Sequence, residues 1–197
     1  MMTIMVKLET ADVSPERVEV GNGVSVPRSW TAIVRDEPGV PGAIRVRVEF
    51  DPRLARSAAV SVTVERAGEG DEVTSLTLRE VRVQAALQAT GLLVSTVADG
   101  SKAPVTGAAY VRRMRERTDR SAAENVVDAA ATYRLAVAVN LPPLKTVSDC
   151  LGVSQSTATR LMNRARIDGL AAGIRLPDAD ATGPVVGPSR TSGPSIN

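Results

Sequence analysis

Histidine is absent from this chain, and cysteine occurs once, as Cys150. These shortages exclude zinc fingers, histidine-based catalytic triads and most metal sites, because the usual ligands and bases are missing. One thiol cannot form an intramolecular disulfide, and Cys150 reads as a partly buried small residue. Aromatic residues make up only 2% of the sequence: Trp30, Phe50, Tyr110 and Tyr133. Modes of single-strand or RNA binding that stack bases on aromatic platforms are therefore disfavoured. No apolar run is long enough for a transmembrane helix. Nothing near the N-terminus pairs a basic region with an apolar run, as a signal peptide would. The expectation is a protein of the reducing cytoplasm, with no membrane partner, no metal and no cofactor.

What is present is a core of aliphatic residues and an uneven charge. Hydrophobic residues make up 43% of the chain, so Val, Leu, Ile and Ala must build the interior. The net charge is +2. Residues 1–100 hold 11 basic and 14 acidic side chains, whereas residues 101–176 hold 12 basic and 6 acidic. A basic excess on one half is the electrostatic footprint of phosphate contact, although a solvated helical surface produces it too.

The first half reads as strands. Ile4 to Leu8 is a short candidate. Residues 17–26 alternate around Gly21-Asn22-Gly23, a hairpin signal. A strand follows from Ser29 to Arg35, and Pro38-Gly39 and Pro41-Gly42 mark turns. Between Ala43 and Phe50, Ile44, Val46, Val48 and Phe50 alternate with Arg45, Arg47 and Glu49, giving one core face and one solvated face. Residues 58–66 continue the theme with Val60, Val62 and Val64. A short helix capped by Thr74 comes next, then a helix from Gln84 to Thr90 stopped by Gly91. The acidic groups Asp36-Glu37 and Glu69, Asp71 and Glu72 lie in turns and read as solvated loops. Arg45 and Arg47 read as a solvated strand face or a basic stripe. No catalytic residues emerge, and an enzyme is not expected.

The second half reads as helices. Residues 94–106 are small, polar and turn-forming, as in a linker. Residues 107–117 look helical, with Arg112, Arg113, Arg115 and Arg117 serving either phosphate contact or a soluble surface. Ser121 and Glu124 have capping-box spacing. A long helix should run to about Val139 with Val126, Ala130, Tyr133 and Val137 as its packing stripe. Asn140-Leu141-Pro142-Pro143 ends it. Residues 177–197, rich in Pro, Gly, Ser and Thr, are expected to be a disordered tail.

Residues 144–163, LKTVSDCLGVSQSTATRLMN, carry the clearest pattern. Val147 and Leu151 share a face of one short helix beginning at Lys145. Ala158, Leu161, Met162 and Ala165 share a face of a second helix beginning at Gln155. Small Ser148 and Ala158 suit a close crossing. Gly152 suits the turn, and Ser154 suits the cap of the second helix. The stretch resembles the DNA-binding helix-turn-helix of many bacterial and phage regulators. From Tyr133 to Leu170, with Pro142-Pro143, Gly152-Val153-Ser154, Ser156-Thr157-Ala158 and Ala165-Arg166, it is similar to C-terminal segments of actinobacterial and actinophage helix-turn-helix proteins. The resemblance implies DNA binding and says little about the N-terminal half.

The expected fold class is α+β. An antiparallel β-rich domain (1–93) precedes a linker (94–106), an all-α domain (107–176) with the helix-turn-helix at 144–163, and the tail. The expected function is sequence-specific binding of double-stranded DNA by a transcriptional regulator acting as a homodimer. Gln155, Ser156, Thr159, Arg160, Asn163 and Arg164 face outward on the second helix. Gln155 suits adenine and Arg160 guanine through bidentate bonds. Lys145, Ser154 and Thr157 suit phosphates, and Arg166 and Arg175 add backbone contacts. The alternative is a phage or bacterial structural or assembly protein that uses the same motif for protein or non-specific DNA contacts. The partner of the N-terminal domain stays open.

Overall fold

The computed structural model describes residues 6–98, 100 and 103–172. The protein is α+β, with two antiparallel sheets and six helices among the described residues. The expected tail, and Arg175, lie outside the described residues.

The first sheet contains β1 (Lys7–Ala11), β4 (Ser29–Arg35), β5 (Gly42–Asp51) and β6 (Arg56–Arg66), in the order β1-β4-β5-β6. Alternation in β5 works as its sequence predicts. Ile44, Val46 and Val48 are buried, and between them Arg45 and Arg47 turn to the other face. These arginines form no free basic stripe, because Arg45 pairs with Glu65 at 3.0 Å and Arg47 with Glu49 at 3.1 Å. β6 departs from the expected valine face. A register shift opposite Arg47 and Val48 leaves Val60 outside the regular pairing. β6 is also an edge strand, so Val60 and Val62 are exposed and only Val64 packs on the core. The first strand begins later than expected, at Lys7, and part of the predicted stretch is outside the described residues.

The second sheet draws in two short strands from the 94–106 stretch, which its composition gave as a linker. It contains β2 (Arg17–Gly21), β3 (Val24–Pro27), β7 (Thr96–Val97) and β8 (Val105–Thr106), in that order. The β2–β3 hairpin turns at Asn22-Gly23, where both residues have positive φ. β3 then pairs with β7. Arg17 fastens the joint, donating to Ser25 Oγ, the Val94 carbonyl and Thr96 Oγ1. Two two-residue strands leave almost no periodic signal, and their composition resembles that of a loop.

The helices are α1 (Ser75–Glu80), α2 (Val83–Val94), α3 (Gly107–Glu116), α4 (Ala122–Ala138), α5 (Pro143–Leu151) and α6 (Gln155–Ile167). Thr74 caps α1, as its sequence predicts. Gly91 does not stop α2, which runs through it to Val94. A Cβ on Gly91 would lie 3.0 Å from Val139 Cβ, so glycine here permits a close approach of α2 to the end of α4.

α2 covers the first sheet, burying Ala86 and Leu87 against Trp30, Ile44, Val46 and Val48. Val24 and Val97 of the second sheet share a buried cluster with Tyr110, Val111 and Met114 of α3 and Leu135 of α4. Val26, Phe50 and Ala138 join both sheets to α4. The β-rich and helical halves therefore share packing rather than forming beads on a string.

α4 begins at the predicted capping box: Ser121 Oγ accepts from the Glu124 N–H, and Glu124 accepts from the Ser121 N–H at 2.8 Å. Those bonds, with an Arg117 ion pair, hold the Glu124 carboxyl at about 2. A folded-state pKa below the unfolded one adds stability above the unfolded value, and this is lost as pH falls through the folded value. Between about pH 4.5 and about 2, stability should fall, and Glu124→Gln should flatten that slope in acid titrations of the urea midpoint. A second prediction concerns Trp30, whose fully buried indole N–H donates to Thr90 Oγ1 at 3.0 Å. Thr90→Val keeps the shape but orphans the donor, so urea denaturation should show a loss of about 1–3 kcal/mol.

Candidate nucleic-acid interface

The candidate surface is built on α5 and α6, which Gly152, Val153 and Ser154 connect. α5 starts at Pro143, two residues before the expected Lys145, because proline at the first helical position loses no needed N–H. It ends at Gly152 with φ +65°, a left-handed conformation that glycine adopts without strain. Ser148 Oγ donates to the Val153 carbonyl at 2.6 Å and closes the turn. Ser154 then caps α6, accepting from the Thr157 N–H at 3.2 Å.

Three side chains seat α6. Ala158, Met162 and Ala165 are fully buried against Val126, Ala130 and Tyr133 of α4 and Val147 and Leu151 of α5. Leu161 packs on the same cluster but is only half-buried. Val137 also packs there, completing the predicted stripe on α4.

The opposite side of α6 is polar. Gln155, Ser156, Arg160, Asn163, Arg164 and Arg166 are exposed, while Thr157 and Thr159 are half-buried. Ser156, Arg160 and Asn163 fall at i, i+4 and i+7, so they form one ridge. Thr159 Oγ1 is occupied, donating to the Gln155 carbonyl at 3.0 Å. Thr157 Oγ1 lies 3.0 Å from Ser154 Oγ and accepts from Arg160 at 3.3 Å. Ser156 Oγ lies 2.9 Å from Ser154 Oγ. The hydroxyls therefore gather at the start of α6.

The cations differ in their commitments. Lys145 pairs with Asp149 at 2.9 Å one turn along α5. Arg164 pairs with Asp168 at 2.9 Å. Arg160 has only the Thr157 hydroxyl as a hydrogen-bond partner among the described residues. Arg166 lies close enough to Tyr133 to oppose the upward push that burial gives the phenol. On α3, Arg112, Arg113 and Arg115 are exposed, whereas Arg117 pairs with Asp119, Glu124 and Asp128. Cys150 is more deeply buried than expected, at 1% exposure, and burial pushes its thiol up. Among the described residues, no group of three His, Cys, Asp or Glu could hold a metal ion, and no helix is long and apolar enough to cross a membrane.

Three positioning residues were not singled out by sequence pattern. Asn22, in the β2–β3 turn, donates to the Leu170 carbonyl at 2.9 Å and accepts from Arg134 at 3.2 Å. Arg134 also donates to the Ala172 carbonyl. Asn140, with φ +61°, accepts on its backbone carbonyl from Gln84 and Gln88. Asn-Gly and Asn-Leu-Pro mark turns in the sequence, but nothing local reveals what a turn side chain reaches across the fold.

The chain matches no protein-family model, no curated protein and no solved structure.

Gly152 offers a clean test of the turn. A Cβ there meets nothing within 4 Å, so Gly152→Ala introduces conformational cost without a clash. Thermal or urea unfolding should show a loss of about 1–2 kcal/mol, the cost of placing an L residue in the left-handed region. Gly152→Asn should lose less.

Proposed function

We propose that this chain binds double-stranded DNA sequence-specifically and acts as a transcriptional regulator, with α6 entering the major groove. One observation carries this reading. α6 has a small apolar face locked onto α4 and α5, while the opposite ridge of Ser156, Arg160 and Asn163 stands exposed. The helix contains three arginines and no acidic residue. A positively charged, polar, rigidly seated helix surface fits the donors and acceptors of base edges.

On this reading Arg160 contacts guanine and Gln155 or Asn163 contacts adenine, since both amides suit its N6 and N7 edge. Lys145 and the hydroxyl cluster of Ser154, Ser156 and Thr157 lie beside phosphates and set the register. Arg166 adds a backbone contact. Lys145 and Arg164 exchange their aspartate partners for phosphate. One such motif covers few base pairs, so the chain acts as a homodimer on paired half-sites, in the cytoplasm.

A second reading has one observation in its favour. Ile167 is 77% exposed and continues the ridge of Ser156, Arg160 and Asn163 by one further turn. An exposed aliphatic residue there suits docking on a protein, as an assembly factor would use it. Salt separates the two, because counterion release makes DNA affinity fall steeply as salt rises.

The test is selection from random duplex DNA at two salt concentrations, read by sequencing. A paired motif should emerge. Arg160→Ala should weaken binding to the selected site by about 1–3 kcal/mol and relax preference at one position. Lys145→Ala should weaken all sequences alike and reduce the slope of log K against log salt by about 1. Absence of retention at low salt overturns the DNA reading and favours a protein partner.

A further inference from the structure

A groove of about 650 Å³ lies between β2, the loop joining β5 to β6, and α4. It is separate from the exposed ridge of α6. Its volume falls within the range of small-molecule sites. Val18, Val20, Phe50, Leu54 and Val137 provide an apolar wall.

Its polar groups differ in availability. Arg134 is committed to Asn22 and the Ala172 carbonyl. Asp51 lies just before the lining residues of the loop, and its Oδ1 accepts from the N–H groups of Arg53 and Leu54 at 2.7 and 3.2 Å. Those two bonds hold the loop in shape. Arg53, in contrast, has no ion pair or side-chain hydrogen bond among the described residues. Glu19 also lines the groove and makes no ion pair with it. Leu54, next to Arg53 on the loop, is 50% exposed. An uncommitted cation beside an unfilled apolar wall is complementary to one ligand chemistry.

We propose that this groove binds a small carboxylic acid with an apolar body, its carboxylate on Arg53 and its hydrocarbon against Phe50, Leu54, Val20 and Val137. A neutral apolar molecule leaves the guanidinium unused. A multiply charged anion leaves the apolar wall unused and is repelled by Glu19 more strongly than a single carboxylate is.

Decanoate is the probe, with decanol as its neutral counterpart, each titrated calorimetrically into the full chain near pH 7 without DNA. Decanoate should bind saturably at one site per chain. Arg53→Gln, an exposed loop substitution, should weaken it about tenfold, as loss of one charge-assisted contact does. Decanol should bind wild type more weakly than decanoate does. Arg47→Gln, on the sheet face that pairs with Glu49, should leave decanoate binding unchanged. The proposal is overturned if decanoate shows no saturable binding, if Arg53→Gln binds it as well as wild type, if decanol binds equally tightly, or if Arg47→Gln weakens binding as much as Arg53→Gln. Because no DNA is present, such a failure does not bear on the proposed role of α6, and loss of that role does not bear on the groove.

Discussion

Burial of α4 on several sides is the constraint on which the rest of the structure depends. Ala129, Ala130, Leu135 and Ala136 are fully buried, and Ala138 is 1% exposed. Val126, Ala130 and Tyr133 face α5 and α6, Ala131 and Leu135 face α3 and the second sheet, and Ala138 faces Val26 and Phe50. A helix buried this way needs small residues, because large ones would push its neighbours apart. Its alanines supply that and favour the helix itself. The same economy explains how a chain with four aromatics closes a core. Close approach replaces side-chain bulk, as at Gly91 beside Val139 and at Gly107, where a Cβ would lie 2.3 Å from Ser95 Oγ.

Features set by neighbouring residues were legible in the sequence. The alternation in β5, the cap at Thr74, the capping box at Ser121, and the glycine and serine around the α5–α6 turn all act within a few residues. Their signals survive without knowledge of the fold. The seating of Ala158, Met162 and Ala165 was legible for the same reason, since helical period alone puts them on one face. Exposure of Arg160 and Asn163 follows from that seating.

What was not legible depends on partners far along the chain. A two-residue strand such as β7 exists only because β3 lies beside it. The alternation of Val60 and Val62 implied burial, but their strand is an edge strand with a register shift, and only the sheet order shows that. Gly91 looks like a stop signal until α4 is seen pressing on it. Asn22 has the residue type of a turn, and its bond to Leu170 spans 148 positions. These long-range ties make the β-rich half part of the seating of α6. The clasp at Asn22 and Arg134 fixes the chain just beyond the last turn of α6, and α4 fixes the helix along its length.

The charges around α6 also bear on the proposed binding. Lys145–Asp149 and Arg164–Asp168 are exposed i,i+4 pairs, a class worth about 0–1 kcal/mol, so on the proposed reading phosphate would displace the aspartates at little cost. Asp149 and Asp168 would remain near the phosphates afterwards and oppose them. That opposition would trim attraction to any duplex, whatever its sequence. Arg160, with only a hydroxyl partner at 3.3 Å among the described residues, would lose little on turning to a base edge. Acidic neighbours would thus weaken the sequence-independent term more than the base-reading term. A binder that must find few sites among many competitors needs that ratio more than it needs raw affinity. Pairing the peripheral cations while leaving the central arginine nearly uncommitted would move the balance of the proposed binding toward discrimination.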